Sequence, residues 1–295
     1  IIAAPAPYGY RNQVQFALTA DGRLGFKAAG SETVVPVRNC HLAAPALMEL
    51  FRRLSVESVP DLERLTLRLG ADNDQLIVFE AAEDAPEIEL DLPVSAALLR
   101  PDGAALALAG RAYVVEAVNG RDFQISAGSF FQVHTALAGR LVAEALAALE
   151  LRGGETVLDV YCGVGLFTAF IAPVAGRVIG VEAFEPAVED AAVNLDEFEN
   201  VEIYAAPAEE VLPGLEAGVD AVIVDPPRAG LAPAVVAELL RLNAPRLVYV
   251  ACDPATFARD AKLLLAGGYA LDYVQPLDLF PQTHHVEVVA RFTRP

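Results

Sequence analysis

Cys252 ends an apolar run, Leu247-Val248-Tyr249-Val250-Ala251, and stands two residues before Pro254, where a helix pattern begins. A thiol at the start of a helix has its thiolate stabilised and can act as a nucleophile near neutral pH. A solitary cysteine is more often an inert core residue, so Cys252 gains weight only from its surroundings. One apolar run earlier, Ala221-Val222-Ile223-Val224 leads into Asp225-Pro226-Pro227-Arg228. Two prolines hold the backbone extended, which would fix Asp225 and leave Arg228 at the mouth of a site. Toward the C-terminus, Phe280-Pro281-Gln282-Thr283-His284-His285-Val286-Glu287 enters a last apolar strand ending near Phe292. An acid at that entry faces either solvent or a site. As a general base it would need the raised pKa that partial burial gives.

A second constellation is of the kind that holds an adenosine. Leu158-Asp159-Val160-Tyr161-Cys162-Gly163-Val164-Gly165 sets two glycines after a strand, where backbone can approach a ligand before the next helix starts. Glu182 ends the following strand, 19 residues after Gly163. A carboxylate there can accept hydrogen bonds from both ribose hydroxyls. The pair suits NAD and S-adenosylmethionine alike, and a strand-to-helix turn with an ordinary surface glutamate would look the same. Thr168, three residues after Gly165, stands where a dinucleotide fingerprint wants glycine or alanine. That disfavours a pyrophosphate site and favours S-adenosylmethionine, bound by Gly163, Gly165 and Glu182.

The elements that must position these residues fall into two halves. From Tyr8 to about Phe123 the chain shows short alternating runs, Val14 to Leu18, Leu65 to Leu69, Leu76 to Glu80 and Tyr113 to Ala117. Turn signals at Asp21-Gly22, Asp72-Asn73 and Asn119-Gly120 separate them, which predicts antiparallel hairpins. One helix interrupts, from Pro45 to about Leu54, so residues 1–125 read as a small α+β domain. Residues 126–295 change character: a helix over Thr135 to Leu149, then apolar strands alternating with helices, then a final pair of strands over Leu271 to Pro276 and Val286 to Phe292. That pattern predicts an α/β domain with a mostly parallel sheet covered on both faces. Ligands of such sheets sit beyond the carboxyl ends of the strands, where the chemistry is therefore expected.

With 295 residues, 54% of them hydrophobic, the chain can bury two cores. It opens on Ile1, so a start inside a longer protein is expected. The uncharged stretch from Val160 to Gly176 carries Cys162, Gly163, Gly165 and Pro173 and reads as strand, loop and helix, so no membrane span is expected. Cys40, Cys162 and Cys252 are odd in number and far apart, which argues against a disulfide framework and for a reducing cytoplasm. The histidines, His41, His134, His284 and His285, lack zinc-site spacing, so no metal site is expected. Net charge is 21 − 40 = −19, unfavourable for a polyanion partner. Residues 127–295 carry 10 basic and 23 acidic side chains, whereas Arg11, Arg23, Lys27 and Arg38 face only Asp21 and Glu32 in residues 1–38. If a nucleic acid docks, the N-terminal edge is where it is expected.

Taken together, these residues resemble the RNA 5-methyluridine methyltransferase family. The resemblance runs from Tyr8-Gly9-Tyr10-Arg11-Asn12 through Phe130-Phe131-Gln132-Val133 to the last strand. Its most specific segments are Asp225-Pro226-Pro227-Arg228-Ala229-Gly230, Tyr249-Val250-Ala251-Cys252-Asp253-Pro254-Ala255-Thr256 and Phe280-Pro281-Gln282-Thr283-His284. It implies a Rossmann-like class I methyltransferase domain over 126–295, behind a smaller α+β domain that contacts rRNA or tRNA. It implies Cys252 as nucleophile at uracil carbon 6, Glu287 as base, and Gln132, Tyr161, Glu182 and Asp225 as contacts of S-adenosylmethionine. It further implies a uridine drawn out of its stack, and a monomer is expected. The chain departs from the family at His134, where members often have Asn, and at Leu166, where some have a polar residue. Many members hold a 4Fe-4S cluster through four cysteines; Cys40 sits where the fourth would be, with the other three lying upstream in any longer chain. Two other readings stay open: an amino-group nucleobase methyltransferase, which shares Asp-Pro-Pro, and a non-catalytic RNA-binding subunit that keeps the fold.

Overall fold

The computed structural model describes residues 1–54, 62–81 and 91–294. Two compact units emerge, Ala6–Thr135 and the pairing of Ile1–Pro5 with Ala136–Pro295.

In the first unit the alternating runs become strands β1 (Gln13–Leu18), β2 (Leu24–Lys27) and β3 (Val34–Pro36), then helix α1 (Pro45–Arg53), then β4 (Leu62–Leu69), β5 (Gln75–Ala81), β6 (Ser95–Leu99) and β7 (Ala105–Ala109). They form one sheet in the order β3-β2-β1-β4-β5-β6-β7. Not all its pairings are hairpins: β5 and β6 run parallel, with Val78 opposite Ala97. Leu47, Met48 and Leu50 on the inner side of α1 join Phe16, Leu65 and Leu67 in a common core. Strands β8 (Tyr113–Val118) and β9 (Arg121–Ser126) make a separate hairpin. Its two-residue turn is Asn119-Gly120, both with positive φ (49° and 81°), the conformation that a tight hairpin turn of this sequence favours.

Segment 127–135 belongs to this unit. Arg68, 3% exposed, donates to the carbonyls of Ser126, Ala127 and Ser129. Asn12 N donates to Val133 O at 2.9 Å. The charges of residues 1–38 are less available than their count suggests: Arg23 pairs with Asp21 at 2.8 Å and Lys27 with Glu32. Among the described residues, Arg11 and Arg38 are the cations of that stretch without an ion pair.

The second unit follows the expected alternation: α2 (Thr135–Leu149), β10 (Thr156–Val160), α3 (Thr168–Ile171), β11 (Arg177–Glu182), α4 (Glu185–Asn194), β12 (Val201–Ala205), α5 (Ala208–Val211), β13 (Ala221–Val224), α6 (Pro233–Leu242), β14 (Arg246–Ala251), α7 (Pro254–Ala266), β15 (Ala270–Leu277) and β16 (Glu287–Thr293). The sheet order is β12-β11-β10-β13-β14-β16-β15. Strands β10 to β14 pair in parallel, and β16 enters antiparallel between β14 and β15. All four residues of β13 and five of six in β14 are buried, as strands covered on both faces require. This is the doubly wound, Rossmann-like α/β architecture that the sequence predicts. Strand order reverses between β10 and β13, so a crevice opens beyond their carboxyl ends. Among the described residues, no helix is long and apolar enough to cross a membrane.

Candidate active site at the strand ends

Four parallel strands deliver Tyr161 (β10), Glu182 (β11), Asp225 (β13) and Cys252 (β14) to one end of the sheet. Glu287 reaches the same end because β16 is reversed. Val288 lies opposite Ala251, which sets Glu287 level with Cys252 on the neighbouring strand.

The loop after β10 is the most constrained part of this end. Tyr161 adopts φ 68°, a left-handed conformation rare for an aromatic residue, followed by Gly163 at 55° and Gly165 at 88°. Tyr161 N and Cys162 N both donate to Val181 O, and Asn194 of α4 donates to Val164 O at 2.9 Å. The two glycines differ in purpose. A Cβ on Gly165 would lie 2.8 Å from Leu195 Cδ1, so packing requires glycine there, whereas a Cβ on Gly163 would meet nothing within 4 Å. The space above Gly163 is open, as a cradle for a ligand needs. Gly165→Ala is accordingly expected to cost about 1–3 kcal/mol of stability, measured by urea unfolding, from overpacking and backbone strain together; an unchanged midpoint would contradict this assignment.

Glu182 is already held for work. Its Oε2 accepts from Gly163 N at 3.0 Å and its Oε1 from Ala183 N and Phe184 N, each at 2.8 Å. Each oxygen retains acceptor capacity toward a hydroxyl. Phe184, 37% exposed, offers an apolar face two residues further on. Thr168, singled out because it breaks the dinucleotide pattern, donates to the fully buried Asp159 at 2.6 Å. The other Asp159 oxygen, Oδ1, is buried with no hydrogen-bond partner. Burial raises Asp159 to about 7, with the charge of Glu182 adding to it and Thr168 opposing.

Cys252 is half-buried. Burial, then Glu287 and Asp225, push its thiol above the ordinary value, while Arg228 pulls it down. At the start of the helix that follows, Asp253 occupies the first free amides, its Oδ1 accepting from Ala255 N at 2.9 Å and Thr256 N at 3.0 Å. Asp225 is raised to about 7 by burial and then by Asp159. Glu287, 2% exposed, is held well above the carboxylate range by burial and then by Asp225. The partial burial foreseen for Glu287 is therefore nearly complete.

These acids make stability depend on pH with a definite sign. Asp159 and Asp225 titrate near 4 when unfolded and about 7 when folded, so the folded state keeps protons that the unfolded chain releases. Their stabilising contribution is full below about pH 4 and is lost as pH rises through about 7. Glu287 acts in the same direction. The urea midpoint of the ligand-free protein is expected to fall between pH 5.5 and 8, and a midpoint that rises over that interval would exclude buried protonated acids.

Gln132, in the first unit, is 5% exposed and held by a polar cluster. Asn12 Nδ2 donates to Gln132 O (3.1 Å), Glu116 Oε1 (2.6 Å) and Thr135 Oγ1 (3.0 Å). Burial lifts Glu116 to about 7. The two departures noted in sequence are structural here: His134 is buried and stacked on Tyr10 at 4.8 Å, and Leu166 is buried. Cys40 is half-buried, and no group of three or more His, Cys, Asp or Glu among the described residues could hold a metal ion. An iron-sulfur cluster takes four thiolates, and Cys40 is the one cysteine of residues 6–135, so these residues do not by themselves make such a site.

The sequence model of the tRNA (uracil-5-)-methyltransferase family matches residues 98–294, two thirds of the chain. The chain belongs to this family. An uncharacterized RNA methyltransferase of Streptomyces avermitilis is 39% identical over 290 residues, covering 95% of this chain. The chain spans 66% of that relative's length, just under two thirds. A 23S rRNA (uracil(1939)-C(5))-methyltransferase of Edwardsiella ictaluri is 36% identical over 99% of this chain and 71% of its own. The tRNA (uracil-54, C5)-methyltransferase of Pyrococcus abyssi, solved with S-adenosyl-L-homocysteine, superposes at TM-score 0.77 with 30% identity, over 99% of this chain and 78% of its own. For the uracil-5-methyltransferase family, the expectation from motifs and the fold therefore agree.

Proposed function

We propose that this chain methylates carbon 5 of a uridine in rRNA or tRNA, using S-adenosylmethionine and a covalent bond from Cys252. The observation that carries the reading is the placement of Cys252 and the buried acid Glu287 side by side on β14 and β16, with Asp225 on the neighbouring strand. Gly163, Gly165, Glu182, Tyr161, Asp225 and Gln132 are proposed to bind the cofactor. The open space at Gly163, with Glu182 bonded to its backbone N, fits such a group.

Carbon 5 of uracil is a poor nucleophile. Addition of the Cys252 thiolate to carbon 6 pushes the pair of the 5,6 double bond into an enolate, and carbon 5 becomes nucleophilic. When bound, S-adenosylmethionine supplies a sulfonium-activated methyl, and its positive charge favours the ionised forms of acids near it. Carbon 5 then carries both methyl and hydrogen. Glu287, as carboxylate, removes that proton, the pair re-forms the 5,6 double bond, and the carbon–sulfur bond breaks with thiolate leaving. Asp225 is held in place by its backbone N, which donates to Val160 O, and by the two prolines that follow it. RNA is the proposed partner, and a monomer in the cytoplasm the proposed state; a reducing compartment would keep the three free cysteines as thiols.

Transfer of labelled methyl into total rRNA and tRNA, followed by digestion to nucleosides, tests the reaction. Label eluting as 5-methyluridine supports it. Label on an amino group of adenine or guanine selects the amino-methyltransferase, and cofactor binding without transfer to any RNA selects the non-catalytic subunit. Glu182→Ala is expected to weaken S-adenosylmethionine binding by about 10- to 100-fold in calorimetry, the worth of charge-assisted bonds to ribose hydroxyls. An unchanged Kd would remove Glu182 from the cofactor site.

A further inference from the structure

The connection from Asp225 to Leu231 carries the charge that opposes the acids around Cys252, and helix α7 grips it from beneath. Arg259 Nη2 donates to Ala229 O at 2.8 Å and Leu231 O at 3.2 Å, and its Nε donates to Asp260 Oδ1 at 2.8 Å. Asp260 is fully buried; its Oδ2 accepts from Leu231 N and from Tyr249 OH, both at 2.7 Å. Gly230 sits tightly over the pair, since a Cβ there would lie 2.4 Å from Asp260 Oδ2 and 2.6 Å from Arg259 Nη2. The clamp thus joins α7, β14 and the loop after β13, and both strands end at the site. Arg228, exposed at the crest of this loop, makes no hydrogen bond or ion pair of its own among the described residues. Its position is set by the loop alone.

We propose that Asp260 and Arg259 are positioning residues: together with Tyr249 they fix the 225–231 connection so that the Arg228 guanidinium stays beside the Cys252 thiol. Val224 of β13 lies opposite Tyr249 of β14, so the connection carrying Asp225 and Arg228 leaves its strand alongside Val250–Cys252, while Glu287 lies level with Cys252 on β16; of these charged groups Arg228 is the one that favours thiolate. A loosened loop leaves two carboxyls unopposed. The catalytic consequence rests on the reading of Cys252 as nucleophile, but the placement itself does not.

The test is the pH profile of Cys252 alkylation by iodoacetamide, followed by peptide mass in a Cys40→Ser background without RNA or S-adenosylmethionine, so that it stands whatever the substrate is. Asp260→Asn keeps an acceptor for Tyr249 and Leu231 but turns neutral toward Arg259. Its alkylation midpoint is expected to move upward toward that of Arg228→Gln, with about threefold slower reaction near pH 8, the effect of half a pKa unit. The double variant should shift no further than Arg228→Gln alone. Should Asp260→Asn misfold, Arg259→Lys, which loses the forked grip on two carbonyls, is expected to shift the midpoint the same way while circular dichroism stays native. A wild-type profile in a folded variant, or a shift that adds to that of Arg228→Gln, would overturn the proposal.

Discussion

Cys252→Ala is expected to lower methyl transfer to RNA on the order of 10⁴-fold or more, while S-adenosylmethionine binding stays within about twofold of wild type. The asymmetry follows from position. Cys252 ends β14, two strands from the Gly163 cradle and three from Glu182, so its side chain can be shortened without touching either. It is half-buried and donates no hydrogen bond that the fold depends on, so alanine leaves the core of β14 intact. What disappears is the only route by which carbon 5 becomes nucleophilic. Single-turnover methyl transfer alongside calorimetric binding separates the two effects. Equal losses in both would mean that Cys252 holds the cofactor and does not attack the base.

Glu287→Gln is expected to slow turnover by about 10²- to 10⁴-fold, the usual worth of a positioned base. The protein should also accumulate as a covalent, methylated RNA adduct. Glutamine fills the same volume but cannot remove the carbon 5 proton, so the reaction runs forward to the point where Cys252 should leave and stops. Addition itself is not slowed. Glu287 is one of the two carboxyls that push the Cys252 thiol up, so neutralising it favours thiolate. The same change removes a nearly buried acid that titrates far above its unfolded value, so folding should be unharmed at neutral pH. Denaturing gels with labelled RNA would show the adduct. Slow turnover without adduct would make Glu287 a positioning group and leave the base elsewhere.

The α/β half was legible from sequence because strands buried on both faces leave uninterrupted apolar runs. Thr135–Leu149 and Ala221–Val224 have the bounds that periodicity predicts. The motif ends lie together because parallel strands all deliver their carboxyl termini to one edge. Three things escaped. Strands β3 and β7 are exposed edges with little apolar contrast, and Ala105–Ala109 alternates alanine with leucine on a largely exposed strand. The reversal of β16 between β14 and β15 is a matter of long-range pairing, and only that pairing makes Glu287 a neighbour of Cys252. The third is electrostatic: sequence placed Cys252 at a helix start, and only the fold shows that Asp253 occupies the first amides and that two acids flank the sulfur. The clamp was invisible for a related reason. Arg259 and Asp260 look like an ordinary surface pair on a helix, and only the fold buries Asp260 against Tyr249.

The covalent route through Cys252 is tested most directly by intact-mass spectrometry of the protein with S-adenosylmethionine and tRNA and rRNA transcripts carrying 5-fluorouridine, in wild type and Cys252→Ala. Fluorine at carbon 5 cannot be removed as a proton, so a covalent enzyme stalls after methylation with the RNA still attached through Cys252. The account predicts a protein–RNA species in the wild type that bears the methyl group and is absent from the variant. Methyl transfer to uridine RNA with no such species under the same conditions, or an adduct that persists in Cys252→Ala, would contradict it.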